Sequence, residues 1–377
     1  MKSYPLLHPL LPGLAALALF STEARADVEL LKKNTFHDPF LAPFSLTVSG
    51  SVRPEFIWNR GPDNHGGHDG GSRFRFAADY LLRPGTSLIG FYSLGLDTAH
   101  ALGLKHHYDH QDDWSRQRKL YGGIQDDRFG TLTFGHQYGV YYDTIGVKSD
   151  VWDNDGFAGP NGSGLDKNID GGDRPRNSLK YTNTFADFTL YADWLLPQDD
   201  IVLDNHQYYR RKHGAGLGLD YQAGKDLVLS ASWNQTSAVV KESGGQQRGY
   251  RQQFSGVAAT WQPGNWYLVS TASWTHNFVP AKKRQETNHY FAGSGYGLEM
   301  FAGYTIPVNR FLLKSVQPYV AADTLRLRGS GDYHANHEYL GVMTQLAYGF
   351  SFYLEHTFTS TSDNDPDQTW LSIYYDF

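Results

Sequence analysis

The sequence predicts an all-β fold, a transmembrane antiparallel up-and-down β-barrel of about sixteen strands. Three observations carry that prediction. The chain ends on an alternating segment closed by an aromatic residue, and it opens on a short apolar segment of export type. Between the two, short turns alternate with long polar loops.

The last segment is Trp370-Leu-Ser-Ile-Tyr-Tyr-Asp-Phe377. Leu371, Ile373, Tyr375 and Phe377 share one face, and Ser372, Tyr374 and Asp376 take the other. Chain ends ordinarily fray into water, so an apolar final residue implies that the last strand is held, as barrel closure demands. Phe377 is therefore expected to close the barrel against a strand beginning near Phe44.

At the other end, Lys2 precedes the apolar run Leu10–Phe20, and Ala24-Arg-Ala26 has the small-x-small cleavage form. The run is shorter than the ~20 residues that span a bilayer. Residues 1–26 read as a secretory signal peptide, residues 27–43 as a leader (periplasmic tail or pore plug), and residues 44–377 as the barrel. Mean hydropathy is −0.50, and no second apolar run approaches spanning length. That excludes a helical membrane protein but not a barrel, whose strands are apolar on one face only. The absence of cysteine removes disulfides, thiolate metal sites and a lipoprotein anchor. A net charge of −6 argues against nucleic-acid binding.

Strand by strand, the pattern has period two. Leu46, Val48, Val52, Phe56 and Trp58 alternate with Ser45, Thr47, Ser49, Ser51, Arg53 and Glu55. Phe74, Phe76, Ala78, Tyr80 and Leu82 alternate with Arg73, Arg75, Ala77, Asp79 and Arg83. Short turns are expected at 83–86, 126–130, 185–187, 223–226, 262–265, 307–310 and 347–349. Longer polar loops are expected at about 59–71, 99–113, 138–176, 197–210, 241–248, 280–292, 328–336 and 360–368. This rhythm puts turns and both termini on the periplasmic side and loops outside. Trp261 and Trp266 beside the Pro263-Gly264 turn, with Trp58, Trp194, Trp233 and Trp274, fit aromatic girdles at the membrane interfaces. Alternation puts Arg53, Arg73 and Arg75 toward the lumen, while Leu120 and Ile124 share a face with Arg118 and leave its direction open.

Gly135-x-x-Tyr138-Gly-Val-x-Tyr-Asp143, then Asn177-Ser-Leu-Lys-Tyr181 and the terminal aromatic, resemble the general-diffusion porins of Gram-negative bacteria. The resemblance implies a homotrimer of sixteen-stranded barrels in the outer membrane, with an inward-folded third loop at 138–176. It also implies a constriction with loop acids Asp150, Asp153 and Asp155 facing arginines Arg75, Arg118 and Arg174, joined here by Arg53 and Arg73. Two departures stand out. His136 replaces a common arginine, and Asp155-Gly-Phe-Ala-Gly159 stands where the family has Pro-Glu-Phe-Gly-Gly.

The expected function is passive diffusion of small hydrophilic solutes and ions, with outer-membrane lipid as the surroundings and no cofactor, metal or catalytic residue. One alternative is a substrate-selective porin, oligosaccharide- or anion-preferring, in which Tyr141, Tyr142, Trp152 and Phe157 contact solute. The other is an outer-membrane barrel hydrolase, which needs a Ser/His/polar triad on the wall. His65-Gly-Gly-His68, His106-His-Tyr-Asp-His110 and Asp363-Asn-Asp-Pro-Asp367 are metal-like in composition only, and read as solvated loops.

Overall fold

The computed structural model describes residues 27–377 apart from 61–64, 105–113, 155–157, 164–168, 203–207, 242–244, 278–292 and 330–331. Asp155, Phe157, the His106–His110 run and the signal segment lie outside the described residues.

Sixteen strands form one antiparallel sheet that closes on itself. Strand β1 covers Phe44–Val52 and, past Arg53, Pro54–Asn59; β2 covers His65–Asp69 and Arg73–Arg83. Then come β3 (Thr86–Leu96), β4 (Ser115–Asp126), β5 (Gly130–His136), β6 (Ser178–Phe185) and β7 (Phe188–Leu195). They are followed by β8 (Tyr208–Gln222), β9 (Leu227–Lys241), β10 (Gln247–Trp261) and β11 (Trp266–His276). Strand β12 is Ser294–Tyr304, continued as Ile306–Arg310. The last four are β13 (Leu313–Arg328), β14 (Tyr333–Leu346), β15 (Phe350–Thr361) and β16 (Gln368–Asp376).

Closure is made where the terminal residue implied. Strand β1 pairs with β2 along Phe44–Ser51 and with β16 at Ser51↔Asp376 and Glu55↔Ser372. The Phe377 amide donates to the Gly50 carbonyl at 3.0 Å, and the Gly50 amide donates back at 2.7 Å. The Phe377 ring packs edge-on against Phe74 at 5.4 Å. A closed sheet leaves no unpaired strand edge within the bilayer, where each orphan amide would be costly.

Beyond Phe377, β1 extends further than β16. A leader strand, Val28–Leu31, takes the vacated edge, pairing Val28 with Val48 and Leu31 with Leu46. Its return turn is tied down by Lys33–Asp79 and by Phe40 against Tyr80 at 5.9 Å.

Alternation sorts the side chains as the pattern required. Leu340, Met300, Leu354 and Val320 point outward and are more than half exposed, whereas Tyr339, Phe301, Tyr319 and Tyr267 point inward and are buried. The six girdle tryptophans Trp58, Trp194, Trp233, Trp261, Trp266 and Trp274 all face outward. One turn is displaced from its expected position. Ile306–Arg310 is strand, pairing Pro307 with Ser315, and the chain reverses at Phe311-Leu312. Pro307 and Asn309 carry turn chemistry, but proline is tolerated where a strand runs past the sheet it borders. Both Asn309 and Phe311 carry a positive φ, 48° and 56°. Strand also extends into segments expected as loop, at His65–Asp69, at Ile201–Val202 and from Tyr208, and from Tyr333.

Candidate functional site

One wall of the lumen is basic. Arg53, in the break between the two halves of β1, bonds Asp376 at 3.3 Å and lies over the Tyr374 ring at 4.6 Å. Its electrostatic neighbour Arg73 stands in turn beside Arg75 and Arg118. Pairing between β3 and β4 slips by one residue at Arg118, where Ser93↔Lys119 is followed by Leu94↔Gln117. The bulge resolves the ambiguous parity: an extra residue lets Arg118 and Lys119 both reach inward although Leu120 stays outward. A Cβ at Gly71 would lie 3.4 Å from an Arg118 guanidinium nitrogen and 3.6 Å from one of Arg73. Lys119 caps the Tyr138 ring at 4.1 Å, and Arg174 joins from the segment before β6, paired to Asp173 at 3.2 Å. Plain alternation already sets Lys119 opposite the outward Leu120, and the bulge brings Arg118 to the same side, so the sequence signal for Lys119 was its parity alone.

The effect of this wall registers at Tyr138. Burial opposes ionisation of its phenol, yet Lys119, Arg174 and Arg73 outweigh burial and bring it down to about 8. A concentration of positive potential is the physical cause.

The opposite wall is covered by the chain between β5 and β6. Its contacts run to inward-facing side chains across most of the barrel. The Val140 amide donates to Asp193, Lys148 pairs with Asp220 at 3.0 Å, and Tyr267 donates to the Lys148 carbonyl. Glu299 on β12 accepts from Ser149 at 2.5 Å and from the Gly159 amide at 2.8 Å. Farther on, Asp153 accepts from Ser372 at 2.5 Å, and its amide donates to Glu355 at 3.3 Å. The returning chain meets Gln252 at Asp170 and Arg211 at Ile169 and Arg176.

Close approach is possible because glycine occupies the wall. A Cβ at Gly218 would lie 2.5 Å from Thr144, and one at Gly297 would lie 2.1 Å from the Ala158 carbonyl oxygen. The inward glycines of His213-Gly-Ala-Gly-Leu-Gly-Leu-Asp220 were the available sequence signal for this seat. The wall acids Glu299 and Glu355 carry no such signal, since their partners lie far off in the chain.

The remaining candidates fall in three settings. Tyr142 stacks on Tyr138 at 4.0 Å and donates to Asp150. Tyr141 is 1% exposed against Phe254, and Trp152 is 4% exposed against Phe301, so neither offers a ring to the lumen. Asp153 faces Arg53 from the loop side; burial outweighs its bonds from Ser372 and Tyr374 and pushes its carboxyl up to about 6. The Tyr374 hydroxyl lies 2.7 Å from Glu55 and 3.0 Å from Asp153, and one proton cannot serve two carboxylates. One acid of that pair is therefore protonated when both contacts are made. Among the described residues no group of three His, Asp or Glu is placed to hold a metal, and His68 packs against Trp370 at 6.1 Å.

A closed sixteen-stranded barrel with charged inner walls already has the form of a channel. Residues 13–310 match the family model of Gram-negative porins. The chain belongs to that family. This porin is an outer-membrane β-barrel and a diffusion channel. It is similar in fold to OmpF of Salmonella typhi, solved with daunomycin, at 16% identity and a TM-score of 0.69, covering 89% of this chain and 98% of that one. It is also similar to the trimer form of OmpT, an outer membrane protein of Vibrio cholerae, at 15% identity and 0.59, covering 89% and 99%. An anion-selective porin from Comamonas acidovorans gives 15% identity and 0.58, covering 89% and 100%. No curated protein matches this porin.

Proposed function

We propose that this porin is an anion-preferring diffusion channel for small hydrophilic solutes, narrowest between the basic wall and the loop at 138–176. The observation that carries the reading is the cluster of Arg53, Arg73, Arg75, Arg118, Lys119 and Arg174, of which Lys119, Arg174 and Arg73 bring down the Tyr138 phenol. Arginine holds its charge at every relevant pH and stays hydrated in a water-filled lumen. A ring of such charge sets ion preference without any chemical step. The acids of the loop are largely engaged: Asp143 with Lys180 at 2.5 Å, Asp173 with Arg174, and Asp153 with Ser372.

Burial of Tyr141 and Trp152 favours this reading over an aromatic slide for sugars. The working unit is a homotrimer, in line with the trimeric OmpT neighbour. The protein is not an enzyme, and a purified sample is expected to show no lipid or peptide hydrolysis. Residues 27–43 serve as a cover for the β1 edge, which the pairing of Val28 with Val48 supports. Reconstitution into planar bilayers tests the channel reading. Stepwise, ohmic conductance increments are expected, and inserted protein without conductance would overturn it.

A further inference from the structure

Strand β8 also carries a bulge, and it too turns an arginine inward. Pairing with β9 slips between Arg211↔Ala238 and His213↔Ser237, with Lys212 as the extra residue. Plain alternation would set Arg211 on the outward face with Leu217 and Leu219. Arg211 is instead 1% exposed, on the same side as the buried Gly214 and Gly216.

Its guanidinium is directed at backbone. Nε donates to the Leu196 carbonyl at 2.9 Å, Nη2 to the Arg176 carbonyl at 2.5 Å and Nη1 to the Ile169 carbonyl. Ile169 and Arg176 bracket the buried run 170–175, which is neither helix nor strand. The run turns at Gly171, where φ is 87°, and carries Arg174 into the basic wall. Arg174 bonds the Tyr138 hydroxyl, and the Asp173 carbonyl accepts from the Gly139 amide at 2.8 Å. An irregular run has no ladder of its own, so a side chain that grips both ends decides where its middle lies. A planar guanidinium with donors on three nitrogens can span three separate carbonyls, which a lysine ammonium cannot.

We propose that Arg211 is a positioning residue for ion preference: by clamping the chain on both sides of Arg174, it holds that guanidinium in the basic wall. Arg211 itself is buried away from passing solute. The inference rests on the proposed role of the basic wall.

The test is a double-mutant cycle between Arg211→Met and Arg174→Ala in the full channel, read as zero-current potential in a potassium chloride gradient. Each single variant is expected to lower the chloride-to-potassium permeability ratio roughly twofold, as for a ring of charge losing one member. The double variant should fall no further than Arg174→Ala alone. Arg211→Lys keeps the charge but loses the clamp, and should behave like Arg211→Met. A second readout is the alkaline limb of the same measurement. Tyr138 stands among Arg118 and Lys119 of β4, Arg73 of β2, and Tyr142, Asp173 and Arg174 of the loop. Its ionisation at about 8 adds a negative charge, so anion preference should drop through that pH. Displacing Arg174 removes a cation that favours the phenolate, so Arg211→Met should move the drop to higher pH. In the Arg174→Ala background it should move it no further. Additive losses in the double variant would overturn the inference, as would a wild-type potential in Arg211→Lys, which would assign the effect to charge alone. So would failure of both Arg211 variants to give heat-modifiable barrels, which would assign Arg211 to the barrel itself. A potassium-preferring wild type would defeat the proposed ion preference alone, since non-additive shifts of either sign would still support the clamp.

Discussion

Arg118 illustrates how far one residue can be read from sequence. Its wall position followed from the family-like motif, but its direction did not follow from alternation, because Leu120 and Ile124 share its parity. A single bulge reverses the local parity at Arg118 and sets it on the same side as Lys119, which alternation already turns inward. Arg118→Ala should therefore shift the zero-current potential toward cations, with a smaller shift for the paired Arg174→Ala; bilayer recordings in a salt gradient measure both. Asp153 gives the pH dependence. Its carboxyl, raised to about 6, is charged above that pH and neutral below it. Lowering the pH through about 6 removes a negative charge facing Arg53 and should increase anion preference. Asp153→Asn should flatten that dependence, and an unchanged profile in the variant would assign the titration elsewhere.

At the level of elements, the strands were legible because membrane strands must alternate, and the turns because each reversal needs a residue that permits it. The exception, Phe311 in place of Pro307–Arg310, arose because turn-forming residues can also end a strand that outruns its neighbours. The course of the loop between β5 and β6 was not legible. Its anchors are single side chains such as Glu299 and Glu355, spaced far from Ser149 and Asp153 in sequence. Glycine at the wall positions is the physical requirement for the seat. Gly297→Leu should force Ala158 off the wall, destabilise the protein by roughly 1–3 kcal/mol and change single-channel conductance; thermal unfolding and bilayer recording check the two effects. Deleting residues 27–43 separates the two roles of the leader. Edge cover predicts lower thermal stability with unchanged conductance, whereas a plug predicts larger conductance.

For the whole molecule, one closed sheet unites the terminal residue with the pore. Phe377 meets Gly50, and the adjoining β1 carries Arg53 onto the basic wall. Removing the Phe377 ring should cost about 2 kcal/mol and lower the folded fraction on heat-modified gels, leaving the selectivity of correctly folded channels unchanged. The central claim is that the basic wall governs passage although the chain as a whole is acidic. The most direct measurement is the zero-current potential across a bilayer holding the wild-type channel in a potassium chloride gradient. A sign showing chloride more permeant than potassium is predicted, diminishing when Arg73 and Arg118 are both changed to alanine. A potassium-preferring wild-type channel would contradict the account.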